Sequence, residues 1–103
     1  PSVLTNMPVA IEQHCELVAG IVDHLQEQGL ELIEAEPEAE AAWVEHVNEL
    51  AQPTMFMHAN SWYLGANIPG KPRVFMPYCG GMSTYRNHCE KVVANGYEGF
   101  VLS

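Results

Sequence analysis

One tryptophan is the side chain best suited to bind a ligand. Trp62 lies in a segment from about Gln52 to Lys71 that has neither helical nor strand periodicity, with turn points at Gly65 and at Pro69-Gly70. An indole offers a flat apolar face for stacking and a single N–H donor. The segment is also rich in large apolar side chains, which disordered segments lack. We therefore predict an ordered binding loop, although Trp62 could instead pin this loop to the core.

The other side chains of chemical interest form weaker patterns. His14-Cys15 and His88-Cys89 are potential zinc ligands, but adjacent helical residues point about 100° apart and neither pair has a chelating spacing. The carboxylates of Glu36, Glu38 and Glu40 are interpreted as solvated charges at a helix start rather than as acid–base groups. Phosphate-binding glycine motifs and a serine nucleophile elbow are absent from the sequence. We expect neither a metal site nor a catalytic residue in this chain.

Charge and composition exclude several classes of partner. The 103 residues carry a net charge of −9, and all four basic side chains follow position 70. The preceding part is strongly acidic, which argues against nucleic acid and anionic membranes as its partners. No apolar run approaches the roughly 20 residues that cross a bilayer, and no signal peptide is present. Three cysteines are too few for a disulfide framework. We predict a cytoplasmic protein.

The elements that position Trp62 follow from periodicity and from helix-ending residues. A turn-like segment from Pro1 through Pro8 precedes a helix from about Val9 to Gln28, whose single apolar stripe is formed by Leu17, Val18, Ile21, Val22 and Leu25. Gly29 ends this helix, and Pro37 begins a second one that ends before Pro53. The remaining predicted elements are a short strand or extended link at Glu31–Ala35, a buried strand at Arg73–Tyr78, a helix at Met82–Ala94 and a strand at Gly99–Leu102.

This order predicts an α/β fold in which three helices alternate with short strands. The Gly80-Gly81 pair is interpreted as a strand-to-helix turn, with close approach of a ligand as the alternative. Apolar helix faces and a buried strand require sheet partners that 103 residues do not supply. We therefore expect the architecture to be incomplete and the chain to be a segment of a longer protein.

Four stretches of the sequence resemble one enzyme family. They are residues 60–78 (NSWYLGANIPGKPRVFMPY), 1–14, 41–49 and 96–102. They are similar to the C-terminal segment of the Baeyer–Villiger monooxygenases of the cyclohexanone and phenylacetone monooxygenase type. The resemblance extends over nearly the whole chain. It implies that residues 1–103 are one segment, the incomplete C-terminal part of the FAD-binding and substrate region of a flavoprotein with two dinucleotide-binding domains.

The resemblance also implies cofactors and site residues. It implies an enzyme that holds FAD, is reduced by NADPH and uses O2 to convert a ketone to an ester or lactone. A mobile loop at about 52–72 would close over the nicotinamide cofactor, with Trp62, Asn67 and Lys71 as its cofactor-binding residues. The residues implied at the substrate pocket are Leu4, Met7, Trp62, Phe75 and Met76. A stacking indole and flexible apolar walls suit these roles physically.

The sequence lacks the parts of this family that would carry catalysis. The two dinucleotide fingerprints and the arginine that supports oxygen transfer have no counterpart in these residues. We therefore expect the chain alone to be inactive, with the remainder of the monooxygenase chain as its main partner and a small-molecule ketone of undetermined class as the substrate. The alternative is a stand-alone, non-catalytic binding or interaction module derived from this segment.

Overall fold

The computed structural model describes residues 2–103, most of which lie in three helices or in the loop between the second and third. The elements are helices α1 (Met7–Gln28), α2 (Pro37–Ala51) and α3 (Met82–Ala94), and strands β1 (Ile33–Ala35) and β2 (Phe100–Leu102). The two strands pair antiparallel in one small sheet. The predicted arrangement of three helices with short strands is confirmed.

Local capping explains where α1 begins and ends. The Asn6 side chain accepts a hydrogen bond from the Val9 N–H at 3.4 Å, so α1 begins two residues before the predicted start at Val9. Pro8 fits within the first turn because its missing N–H is not needed there. The predicted turn-like segment shortens to a 3-10 turn at Ser2–Leu4, and its first residue, Pro1, lies outside the described residues. Gly29 ends the helix at a left-handed φ of 66°, as predicted.

The predicted strand at Arg73–Tyr78 is wrong, because within residues 2–103 this segment joins no sheet. The Val74 and Met76 N–H groups donate instead to the carbonyl oxygens of Leu64 and Tyr63, at 3.2 and 2.9 Å. Of the three apolar residues in the run, Phe75 is buried, whereas Val74 and Met76 are exposed. A short apolar run between prolines fits a strand, but it does not provide a sheet to join.

The hydrophobic core is formed by α2 and the residues that follow it. Its buried members are Val47, Ala51, Leu64, Phe75 and Tyr78. The Asn48 side chain secures this arrangement, since its Oδ1 accepts the Phe75 N–H at 3.0 Å while its amide group donates to the Val44 carbonyl at 2.8 Å. The core therefore lies beside the predicted binding loop. None of the three helices described here is long and apolar enough to cross a membrane.

Candidate functional site

The loop that follows α2 is a succession of tight turns. It contains two 3-10 turns, at Met55–His58 and at Trp62–Leu64. The second turn is capped at both ends: the Ser61 Oγ accepts the Tyr63 N–H at 3.2 Å, and the Gly65 N–H donates to the Trp62 carbonyl at 3.0 Å. Gly65 has a φ of 67°, a conformation that favours glycine. The sequence around Trp62 therefore encodes a defined local structure.

Two anchors fix this turn to the rest of the molecule. Leu64 is fully buried in the core, so its side chain attaches the turn to the core. The Arg73 guanidinium provides the second anchor. It donates to the Asn60 Oδ1 at 2.9 Å and to the Ala59 carbonyl at 2.7 Å. These two acceptors lie just before the Trp62 turn. Arg73 is thus a positioning residue that the sequence patterns did not identify, because its partners lie thirteen and fourteen positions away.

Trp62 lies at the surface of this anchored turn. Its side chain is 59% exposed, and its ring packs edge-on against Tyr63 with the centroids 4.4 Å apart. Tyr63 in turn contacts the rings of Phe56 and Phe75. None of the hydrogen bonds between residues 2 and 103 uses the indole N–H. The alternative in which Trp62 pins the loop is therefore wrong, because Leu64 does so and leaves the indole face and its donor exposed.

Asn67 and Lys71, predicted with Trp62 as cofactor-binding residues, are exposed on the same loop. The stem of Lys71 lies over Gly65, where a Cβ atom would come within 3.2 Å of the lysine Cδ. Lys71 is therefore held beside the Trp62 turn while its side chain remains exposed. The three side chains offer an indole N–H, an amide group and an ammonium, which is a set of donors suited to an anionic ligand with a stacking ring.

The predicted substrate-pocket residues fall into two groups. Leu4 is partly buried and packs against the core, whereas Met7 and Met76 are exposed. Phe75 is 1% exposed, so its ring has no free face within this chain and the prediction that it lines a pocket disagrees with its burial. Its contacts with Phe56 and Tyr63 support the Trp62 turn from inside. The structure thus brings Leu4 and Phe75 to one core and leaves the other predicted residues at the surface.

A separate apolar cavity of about 330 Å³ lies away from this loop. It is bounded by all three helices and by β2, and none of the predicted site residues lines it. Its walls include Leu17, Trp43, Tyr85, Cys89 and Tyr97. The cavity and the Trp62 loop are therefore different features of the fold.

Aromatic and histidine side chains cluster between this cavity and the core. Trp43 stacks on Tyr78 with the ring centroids 5.4 Å apart, and His88 lies 4.8 Å from Trp43. The Tyr85 hydroxyl shares a hydrogen bond of 3.2 Å with Nε2 of His14. Burial, followed by the nearby Cys89 thiol, raises the pKa of Tyr85 to about 12. In the part of the chain that the structure describes, no three His, Cys, Asp or Glu side chains come together as metal ligands.

Comparison with characterised proteins finds a similar segment in several monooxygenases. The chain is 42% identical to the acetone monooxygenase (methyl acetate-forming) of Gordonia sp. (strain TY-5), over 97% of the chain and 19% of that protein. It is 39% identical to a Baeyer-Villiger monooxygenase of Pseudooceanicola batsensis, over 94% of the chain and 18% of that protein. No protein-family model matches the chain. The chain spans about one fifth of the length of the curated relatives it matches.

Solved structures have the same fold in the corresponding segment. A steroid monooxygenase solved with NADP superposes with a TM-score of 0.88 at 42% identity, over 99% of this chain and 18% of that chain. OTEMO, solved in complex with FAD and NADP, superposes with a TM-score of 0.75 at 28% identity, over 87% of this chain and 16% of that chain. The three helices, the small sheet and the Trp62 loop therefore form an arrangement that recurs inside larger chains.

Proposed function

This chain corresponds in sequence and in fold to about one fifth of a Baeyer–Villiger monooxygenase, and from that premise we propose its function. It supplies the loop at about 52–72 that closes over the nicotinamide cofactor, together with part of the substrate pocket. The complete enzyme depends on FAD and NADPH and uses O2 to convert a ketone to an ester or lactone. The two cofactors supply the redox chemistry when they are bound. The side chains of this segment supply binding, orientation and exclusion of water.

The cofactor side of the site consists of Trp62, Asn67 and Lys71. The Lys71 ammonium is placed to neutralise a phosphate group of NADPH, since charge-assisted hydrogen bonds to phosphate are strong. The Trp62 indole stacks on a flat group and donates its N–H to a ribose oxygen. Asn67 adds an exposed amide donor on the same loop. We propose a binding role for all three side chains and proton transfer for none of them.

The substrate side of the site consists of apolar side chains. Met7 and Met76 are exposed and flexible, so they can adapt to the shape of a ketone and cover it from water. Leu4 precedes Met7 by three residues and packs against the core. Phe75 is buried, so we propose that it acts behind the loop rather than in contact with the substrate.

One observation carries this proposal: an indole with a free face and a free donor on a firmly anchored turn. A large aromatic side chain normally buries most of its surface, and a tryptophan N–H usually finds a partner. Within residues 2–103, Trp62 is mostly exposed and its N–H has no partner, although its neighbours Tyr63 and Leu64 contact the core. Such an arrangement contributes little to folding and leaves the indole available to a ligand. A nicotinamide dinucleotide offers both a stacking surface and hydrogen-bond acceptors.

Partners and location follow from the same premise. We propose that the remainder of the monooxygenase chain is the main partner and that the enzyme acts in the cytoplasm on a small ketone. The net charge of −9 does not favour nucleic acid or an anionic membrane as a ligand. We expect no turnover by residues 1–103 alone, because the flavin-binding parts lie elsewhere.

The test replaces Trp62 in the complete enzyme. We expect Trp62→Ala to raise the KM for NADPH by roughly tenfold or more, because it removes a stacking contact and a hydrogen bond that together contribute about 1.5 kcal/mol. Met55→Ala is the matched control, since Met55 is the most exposed apolar side chain of the same loop and is not part of the site. Steady-state kinetics with varied NADPH measure both variants. Equal KM values for Trp62→Ala and Met55→Ala would refute the proposed role.

A further inference from the structure

The apolar cavity between the three helices and the small sheet has a volume of about 330 Å³ and aromatic walls. Trp43 of α2, Tyr85 of α3 and Tyr97, which follows α3, all line it, and the ring centroids of Trp43 and Tyr85 lie 6.2 Å apart. Ligand sites in proteins enclose about 300–1,000 Å³ and are mostly apolar. The cavity is therefore large enough for a small ligand, and none of the residues assigned to the Trp62 site lines it.

Contacts outside the cavity hold its walls in place. Trp43 is stacked on the buried Tyr78, with the ring centroids 5.4 Å apart. Tyr97 is itself buried, and its hydroxyl donates to the Gly20 carbonyl at 3.4 Å. The φ of Tyr97 is 62°, in the left-handed region that bulky residues rarely adopt. Side chains that are already fixed lose little conformational entropy on binding, so these walls are preorganised for a ligand.

Two carboxylates, Glu40 and Glu98, line the same cavity from two segments that touch each other. Gly99 packs closely against Ala39, since a Cβ atom at Gly99 would lie 2.9 Å from the Ala39 Cβ. The Glu36 N–H donates to the Gly99 carbonyl at 2.9 Å and fixes this junction. Glu40 follows Ala39 and Glu98 precedes Gly99 in the sequence, so the two carboxylates flank one junction at the edge of the cavity.

The cavity lining is acidic as well as aromatic. Among residues 2–103, none of the lysine or arginine side chains lines it. Oε2 of Glu98 accepts a hydrogen bond from the Asn95 amide at 2.7 Å, and this neutral partner does not cancel the charge of the carboxylate. Charges beside apolar space interact more strongly than charges in bulk water. The two carboxylates therefore favour a positively charged ligand over a neutral or anionic one.

We propose that this cavity binds a small organic cation, an ammonium ion whose nitrogen carries methyl or other small alkyl groups. The rings of Trp43, Tyr85 and Tyr97 attract such a cation through their negative faces, and its alkyl groups fill the apolar volume. Glu40 and Glu98 supply the opposite charge. A metal ion would have to exchange its hydration shell for six or more oxygen ligands, which two carboxylates do not provide. The inference goes beyond the proposed function because it concerns a second site and a ligand of different charge.

Equilibrium dialysis of the full-length polypeptide against labelled choline tests the proposal. Choline carries a trimethylammonium group, and its neutral isostere, the alcohol in which carbon replaces the nitrogen, has the same shape without the charge. At physiological ionic strength we expect choline to bind with a Kd below about 1 mM and the isostere to compete at least about tenfold more weakly. Potassium ions at the same concentration as the isostere should not displace choline, because they have no alkyl groups to fill the cavity.

Three results would overturn the proposal. Absence of saturable choline binding would mean that the cavity is closed to cations in the full-length polypeptide. Equal competition by the neutral isostere would show that the cavity recognises shape and not charge, and equal competition by potassium would assign the binding to general surface charge. The assay contains neither NADPH nor ketone, so its failure is distinct from a failure of the proposed function. Trp62→Ala should change the KM for NADPH and leave the affinity for choline unaltered.

Two matched double variants assign the binding to the cavity. Glu40→Gln with Glu98→Gln removes both carboxylates that line it and should weaken choline binding at least about tenfold. Glu34→Gln with Glu38→Gln removes the same number of exposed charges from outside the lining and should leave the Kd within about twofold of its starting value. Equal effects of the two double variants would place the cation elsewhere and contradict the proposed site.

A pair of volume-adding variants tests the cavity independently of charge. Val92 lines the cavity, so Val92→Phe should fill part of it and weaken choline binding at least about tenfold. Val44 is an exposed residue of α2 outside the lining, and Val44→Phe should leave the Kd within about twofold of its starting value. Unchanged binding in a folded Val92→Phe variant would contradict the proposed site. If Val92→Phe does not fold, the two charge-removing double variants still decide the question.

Discussion

The α2–loop region (residues 37–80) and helix α1 (Met7–Gln28) show opposite relations between regular structure and burial. The first region contains the buried cluster of Val47, Ala51, Leu64, Phe75 and Tyr78, although about two thirds of it is loop. The second is the longest helix of the chain, yet only Ala10 and Gln13 of its 22 residues are buried. Long periodic segments therefore do not identify the core of this molecule. The core forms where tight turns fold back on a helix.

The difference arises from the partners that the backbone N–H and carbonyl groups of each region bond to. In the loop, hydrogen bonds from Val74 and Met76 to the turn at Trp62–Leu64 fold one stretch of chain over another and enclose Leu64 and Phe75. In α1 the hydrogen bonds lie within the helix, so the helix forms without being covered. The α2–loop region thus encloses the buried cluster, whereas α1 contributes only two buried residues.

The largest expected effect compares the same substitution in the two regions. Leu64→Ala removes a fully buried side chain from the core and should lower the free energy of unfolding by about 2–5 kcal/mol. Leu17→Ala on α1 should cost less than half as much, because Leu17 is only partly buried and already borders a cavity. Urea denaturation of both variants measures the difference. An equal or larger loss at Leu17 would contradict the proposed division between the regions.

A second comparison substitutes alanine for two glycines, Gly80 and Gly20, and the two changes in stability should have opposite signs. A Cβ atom at Gly80 would lie 2.5 Å from the Tyr78 hydroxyl and 2.6 Å from Cζ. The Tyr78 ring is buried and stacked on Trp43, so it has little room to move, and Gly80→Ala should destabilise the protein by about 1–3 kcal/mol. This close contact supports the interpretation of Gly80-Gly81 as a turn that requires small residues.

Gly20 is the counterpart on α1. A Cβ atom there would meet nothing within 4 Å, and alanine is a better helix former than glycine. Gly20→Ala should therefore stabilise the protein by about 0.5–1 kcal/mol. Thermal unfolding of the two variants side by side tests the prediction. A destabilising Gly20→Ala substitution would show that α1 is more tightly packed at this position than the structure indicates.

The sequence predicted those parts of the fold that depend on local chemistry. Gly29 and Pro37 marked a helix end and a helix start, and the bounds of α3 at Met82–Ala94 agree with the prediction. These signals act within one turn of the chain, so no tertiary information is needed. The strand predicted at Arg73–Tyr78 failed because strand formation needs a partner, which a pattern of apolar residues does not specify. The exposure of most of α1 was not predicted either, because periodicity identifies an apolar face but does not show whether another layer covers it.

The sequence also predicted those parts of the candidate site that lie close together along the chain. Trp62, Asn67 and Lys71 lie exposed on one anchored loop, as a binding role requires. The residues that position them were not predicted, since Arg73 and Asn48 act through partners more than ten positions away in sequence. Phe75 was assigned to the pocket together with Met76 from the resemblance to the family. Neighbours in an extended segment face opposite sides, and here Phe75 faces the core while Met76 faces outward.

The smallest expected effect lies at the junction of the two regions, where the Tyr85 hydroxyl is hydrogen-bonded to His14 of α1. Burial, and then the Cys89 thiol, raise the pKa of Tyr85 from 10.0 to about 12. The folded state therefore retains a proton that the unfolded state loses. The contribution of Tyr85 to the free energy of unfolding should be constant below about pH 10 and should be lost as the pH rises towards about 12.

Replacement of Tyr85 tests whether its ionisation causes the decrease in the free energy of unfolding at alkaline pH. Tyr85→Phe should flatten the decrease in thermal midpoint between about pH 10 and about pH 12, whereas Tyr63→Phe in the loop should retain it. The effect is modest because the Tyr85 side chain is only partly buried, so water stabilises part of the ionised form. An unchanged slope in Tyr85→Phe would place the alkaline transition elsewhere. A flattened slope would identify Tyr85 as the group whose ionisation destabilises the fold at alkaline pH.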